Sequence, residues 1–201
     1  LALIAELFVS QVSADRMNEI YNTPTAEGVE RFQPKGHDIV FDHVGFAYDK
    51  KKVLDGVNFT AREGEVTALV GPSGSGKSTC ARLAARLWDV TEGTIRVGGV
   101  DISTVDPEAL LTDYSMVFQD VVLFRDTILE NIRLGRPEAT DQEVLAAAEK
   151  AQCGEFLARL ENGIHTMAGD GGKMLSGGER QRISIARALL KNAPIVLLDE
   201  A

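Results

Sequence analysis

Residues 65–79 constrain this chain more than any other stretch: Glu65-Val66-Thr67-Ala68-Leu69-Val70, followed by Gly71-Pro72-Ser73-Gly74-Ser75-Gly76-Lys77-Ser78-Thr79. An apolar, β-rich run enters a loop with three glycines and leaves as Cys80 to Leu87, whose alanines and apolar spacing suit a helix. The order predicts strand, phosphate loop, helix. The loop fits G-x-x-x-x-G-K-[ST], in which glycines let the backbone turn tightly and bring its N–H groups up to phosphate oxygens at a helix N-terminus. Lys77 is expected to supply a point charge for β- and γ-phosphates, Ser78 a hydroxyl for Mg²⁺, and Thr79 a further phosphate contact. A plain Gly/Ser-rich turn would explain neither Lys77-Ser78 nor the buried-type run before it.

The 201 residues can hold one substantial core, and 44% hydrophobic with 25% charged is ordinary for a globular domain. A net charge of −9 argues against a nucleic-acid backbone as the main partner. Cys80 and Cys153 form no metal-ligand spacing, and His37, His43 and His165 are scattered. No uncharged apolar run approaches the roughly 18 residues of a membrane span, and no basic leader opens the chain. The expectation is a piece of a longer protein, cut upstream of Leu1 and again just after Ala201.

Leu1 to Tyr21, with Leu3, Leu7, Val12 and Ile20 among polar residues, reads as an amphipathic helix, and Pro24, Gly28, Pro34 and Gly36 mark 22–37 as a linker. Ile39-Val40-Phe41, Val44 to Tyr48 and Val57 to Thr60 read as a small antiparallel unit. Tyr48 closes one of these runs; its ring can stack on an adenine, although a strand-end tyrosine taken alone is more often plain packing. Gly93 to Val100 reads as strand and tight turn, and Asp106-Pro107-Glu108 as a helix start. Ser115 to Phe118 is a strand that delivers Gln119 to a carboxyl end, where ligands gather in open α/β sheets.

Val121 to Leu160 reads as mostly helical, with capping oxygens at Thr140 to Glu143. Leu175-Ser176-Gly177-Gly178-Glu179-Arg180-Gln181-Arg182 opens a helix to about Leu190, and Ser176 with Glu179 is a capping box. Capping leaves Gly177 and Gly178 unexplained, since each costs about 1 kcal/mol in a helix relative to alanine. An anion approaching the backbone N–H groups would explain them. Ile195 to Leu198 is a buried-type strand ending in Asp199-Glu200, suited to hold Mg²⁺ and to accept a proton from attacking water.

Taken together, these residues strongly resemble the nucleotide-binding domain of ATP-binding cassette (ABC) transporters, in the exporter-type branch with fused membrane and ATPase domains. The match spans about Asp38 to Ala201, and its most specific element is Leu175-Ser176-Gly177-Gly178-Glu179. The resemblance implies an α/β P-loop NTPase with a RecA-like core, an antiparallel β subdomain and a helical subdomain inserted at about 120–190. It divides the chain into the cytoplasmic end of a last transmembrane helix (1–21), a linker (22–37) and an incomplete ATPase domain (38–201).

By motif position, Tyr48 stacks adenine and Gly71, Pro72, Ser73, Gly74, Ser75, Gly76, Lys77, Ser78 and Thr79 cradle the phosphates. Ser176, Gly177 and Gly178 close on ATP, while Ser78, Gln119 and Asp199 serve Mg²⁺. The catalytic set is Glu200 as base, with Gln119 and Lys77; Gln119 also senses the membrane domain, whose coupling helices meet the surface at Val121 to Phe124. The implied ligands are ATP and Mg²⁺. The implied partners are a second ATPase domain, head to tail, and the membrane domain of the same polypeptide, placing the ATPase on the cytoplasmic side of a cell membrane with no nucleic-acid partner.

Departures from the pattern are Glu179 for the commoner Gln, Asp170 before the signature, and Arg125-Asp126 for a Gly-containing pair. The D-loop and switch histidine are expected beyond residue 201, so the fragment alone is expected to be inactive. The run Phe118 to Thr127 together with Ser176 to Arg180 is similar to bacterial transporters linked to siderophores. Alternatives within the same fold are a non-transport ATPase of translation or DNA repair and a catalytically silent cassette of a heterodimer.

Overall fold

The computed structural model describes residues 2–22 and 27–199. Helix α1 (Ala2–Tyr21) leads into the first sheet, built from β1 (Ile39–Tyr48), β2 (Lys51–Ala61), β3 (Glu92–Val97) and β4 (Val100–Asp101) in the order β2-β1-β3-β4. Every pairing in it is antiparallel. The β1–β2 hairpin turns at Asp49, whose φ of 51° is one that Asp tolerates better than most side chains. Phe41 and Phe59 stack across it at 4.4 Å, and the alternation buries Phe41, Val44 and Phe46 against helix α2 (Lys77–Ala84).

The second sheet is a parallel pair, β5 (Tyr114–Val117) and β6 (Ile195–Leu198), registered from Tyr114↔Ile195 to Val117↔Leu198. Short helix α3 (Pro107–Leu111) precedes β5, with Asp106 capping it through bonds from Glu108 N and Ala109 N. Two anchors set β5 between neighbouring elements. Tyr114 Oη donates to Ala84 O at the end of α2 (2.8 Å), and Ser115 Oγ donates to Ala188 O (3.1 Å).

Helices α4 (Ile128–Arg133), α5 (Asp141–Lys150), α6 (Gly154–Leu157) and α7 (Gly177–Lys191) close around a separate apolar core running from Leu123 to Leu190. Helix α7 packs on α4, α5 and β5. The caps expected from sequence are formed. Thr140 with Glu143 and Ser176 with Glu179 each make both reciprocal bonds of a capping box, satisfying two otherwise orphan N–H groups per helix start.

Two expectations are corrected. Glu65 to Val70 is not a strand: no ladder forms along it among the described residues, and Val66 and Val70 are 100% and 92% exposed. Strand character comes from cross-strand pairing rather than from intrinsic preference, and without a neighbour β-branched residues do not make one. Helix α1 is helical but not amphipathic. At about 100° per residue, Val12 and Ile20 do not stand over one another, and residues 10–22 are all exposed.

Candidate nucleotide site

The phosphate loop forms without a flanking strand because its own turns and the start of α2 define it. Ser75 N bonds Pro72 O at 3.2 Å, and Gly76, the residue before α2, has φ 91°. That left-handed conformation and the wall behind it both require glycine, since a Cβ there would lie 2.5 Å from Leu54 Cδ2 on β2. The loop is thus braced on the first sheet while residues 71–75 face solvent. Lys77 Nζ donates to Gly71 O and Pro72 O, both at 3.0 Å, two neutral acceptors within its own loop.

The parallel pairing of β5 with β6 brings their carboxyl ends together: Asp199 N bonds Val117 O at 2.9 Å, beside the exit of β5 toward Gln119. Ser78 Oγ donates to Asp199 Oδ1 at 2.6 Å, across 121 residues of chain. A hydroxyl and a carboxylate therefore converge at the first turn of the phosphate-loop helix. These are hard oxygen donors, the kind Mg²⁺ takes alongside phosphate oxygens and water. Among the described residues no group of three or more His, Cys, Asp or Glu gathers as a cation cage. Gln119 is exposed after β5. Glu200 lies outside the described residues.

Tyr48 stands at the end of β1 within an aromatic group. Its ring meets Phe46 edge-on at 4.8 Å and Trp88 edge-on at 5.6 Å. Trp88, the chain's single tryptophan, was not singled out by the sequence reading. It is 52% exposed and packs edge-on against the Tyr48 ring.

Ser176, Gly177 and Gly178 sit exposed at the N-terminus of α7. Nothing lies within 4 Å of where a Cβ on Gly178 would be, so the close approach inferred from sequence has no counterpart among the described residues. Open N–H groups at the head of a 15-residue helix nonetheless favour an anion. Glu179 is held below the ordinary carboxylate value, first by the backbone N–H of Ser176 and then by its hydroxyl. Burial raises the Cys80 thiol, and raises Cys153 to about 11, which leaves neither as a nucleophile near neutral pH.

Sequence reasoning also passed over Asn131, which is fully buried in α4. Its side chain accepts from Phe124 N (2.8 Å) and donates to Phe124 O (3.0 Å) and Thr127 O (2.9 Å). Arg187 of α7 donates to its backbone oxygen at 2.9 Å. The available signal was a polar residue sharing one helical face with Ile128 and Ile132. Asn131 shapes the loop 121–127, on which Val122 and Phe124 are 66% and 61% exposed.

Residues 54–201 match the family model described as ABC transporter. The chain is 46% identical to a Mycolicibacterium thermoresistibile protein named Mycobactin import ATP-binding/permease protein IrtB, covering 99% of this chain and 35% of that one. It is 44% identical to a Bradyrhizobium diazoefficiens protein named β-(1→2)glucan export ATP-binding/permease protein NdvA, covering 96% and 34%. A solved structure described as a bacterial Atm1-family ABC exporter with ATP bound superposes with a TM-score of 0.88 at 42% identity, covering 94% of this chain and 34% of that one. The chain spans about a third of the length of these relatives.

Proposed function

This chain belongs to the ABC transporter family, a family of ATPases, and from that premise we propose that it is the ATP-hydrolysing motor of a membrane transporter whose permease segments share its polypeptide. The observation that carries the reading is the 2.6 Å contact between Ser78 and Asp199 at the foot of an exposed phosphate loop. The loop N–H groups and Lys77 hold the triphosphate, and Tyr48, braced by Trp88, presents its ring to the adenine. Ser78, Asp199 and Gln119 hold Mg²⁺, which when bound neutralises charge on the transferring phosphoryl group. Glu200 takes the proton of the attacking water.

Ser176 to Gly178 cap the γ-phosphate of a second cassette. Two copies, or this cassette and a related one, meet head to tail so that each completes the other's site. ATP drives the change because it binds the closed pair more tightly than the open one. The loop from Val121 to Phe124 receives the permease, and α1 with 22–37 joins the cassette to it, placing the motor at the cytoplasmic face of the membrane. Among the described residues no helix is long and apolar enough to cross a membrane. Two relatives carry names for opposite directions of transport, mycobactin import and β-(1→2)glucan export. Cargo and direction are therefore set by the permease, with a siderophore-linked transporter favoured by the first of these relatives.

The test is nucleotide retention by the full-length protein incubated with MgATP and vanadate, in which vanadate takes the place of the released γ-phosphate beside ADP. Wild type is expected to retain nucleotide in a Mg²⁺-dependent way, and Asp199→Asn to lose that dependence. Trapping by the variant at the wild-type level would overturn the assignment of the Ser78–Asp199 pair.

A further inference from the structure

The segment that leaves α1 does not hang free when it reaches the cassette. Val29 N bonds Thr104 O at 2.8 Å and Asp106 N bonds Val29 O at 3.0 Å, a short parallel bridge of Val29 to Val105. The two backbones are so close that a Cβ on Gly28 would lie 2.3 Å from the Val105 carbonyl carbon. Residues 27–29 therefore form a strap pressed on residues 104–106, with space for glycine alone at its centre.

Arg86 lies beneath the strap. Its guanidinium donates to Val105 O and, at 3.2 Å, to Glu27 O, while Nε donates to Asp89 Oδ1 at 3.0 Å. The side chain is 6% exposed, and its three bonds leave from three different nitrogens of the planar fork, whereas a lysine's three donors share one nitrogen. Arg86 also belongs to the end of the phosphate-loop helix. Its N–H bonds Leu83 O at 3.0 Å, its φ is 50°, and Leu87 N reaches back to Arg82 O at 2.9 Å, closing the C-terminus of α2.

Helix α2 is a stiff rod of about 12 Å, with Lys77 and Ser78 at one end and this cap just past the other. On the far side of the strap, Glu27 stands five residues from Asn22 at the end of α1, a reach of at most about 18 Å. Residues 10–22 of α1 and its exit are all exposed, and the strap is the first described segment after them in the chain.

We propose that Arg86 is a positioning residue that latches the strap 27–29 to the phosphate-loop helix, so that occupancy of the phosphate loop alters the hold on the segment entering from α1. The proposal rests on the nucleotide reading above and adds a second route to the membrane segments, separate from the loop 121–127. Any displacement of α2 on phosphate binding would carry Arg86 with it, and through Arg86 the two backbone oxygens that its guanidinium holds, Val105 O and Glu27 O.

The test is hydrogen exchange of the full-length protein in lipid nanodiscs, with and without MgATP and vanadate, read at peptides covering Val29, Asp106 and the phosphate loop. In wild type, nucleotide is expected to protect the phosphate loop and to change exchange at Val29 and Asp106 by about fivefold or more, the lower end of ordinary coupling. In Arg86→Met the phosphate loop still responds while the strap no longer follows. Gly28→Ala is expected to uncouple it in the same way from the other side. Should Arg86→Met fail to fold, the wild-type response and that of Arg86→Lys decide the matter, the lysine being expected to follow nucleotide less than half as strongly. A strap indifferent to nucleotide in wild type, or one that follows it fully without Arg86, overturns the latch while leaving the nucleotide site intact. A phosphate loop that shows no protection overturns the nucleotide reading and the latch together.

Discussion

Replacing Asn131 by Ala removes a buried side chain whose hydrogen bonds tie the loop after β5 to helix α4, beside the apolar anchor of Leu123. The bonds at stake are three short ones, at 2.8, 3.0 and 2.9 Å to Phe124 N, Phe124 O and Thr127 O, from a residue with no exposed surface. At about 1 kcal/mol net for each bond, the variant should lose about 3 kcal/mol. For a chain of this size each kcal/mol lowers the midpoint by about 2–4 °C, so the expected drop is roughly 6–12 °C. Asn131→Asp should be at least as damaging, because it trades the amide donors for an oxygen that faces Phe124 O and Thr127 O. The assay is thermal unfolding followed by the fluorescence of Trp88, the single tryptophan, with hydrogen exchange at 121–127 as the local readout. If the alanine variant melts within about 2 °C of wild type, a loss under about 1 kcal/mol, the network is not what holds this loop.

Three further outcomes follow from the site. Gly76→Ala places a Cβ 2.5 Å from Leu54 Cδ2 at φ 91°, a strain of about 1–3 kcal/mol that should push the phosphate loop off β2 and weaken ATP binding; wild-type affinity for a fluorescent ATP analogue would contradict this. Glu200→Gln in the full-length protein should keep nucleotide binding and slow phosphate release by about 10²–10⁴; unchanged turnover would take Glu200 out of the base role. Glu179 has its pKa depressed by Ser176, so its share of stability is fully present above the ordinary value of 4.5 and is lost as pH falls through the lower folded value. The start of α7 should therefore fray in acid, and Glu179→Gln should flatten that dependence; an equally steep acid profile in the variant would refute the linkage.

Wherever a few adjacent residues dictate the geometry, the amino-acid sequence alone determined the outcome. The phosphate loop, both capping boxes, the β1–β2 hairpin, and the delivery of Gln119 and Asp199 to strand ends all follow from local spacing and local hydrogen bonding. Tertiary structure decided what depends on a neighbour distant along the chain. Val66 to Val70 has the propensity of a strand and pairs with no other segment among the described residues, because a ladder needs a second backbone alongside. The meeting of Ser78 with Asp199 and the buried roles of Asn131 and Arg86 arise only when separate segments pack. A polar side chain in the sequence does not state its partner; burial selects that partner, because a buried donor left without one costs more than the bond itself is worth.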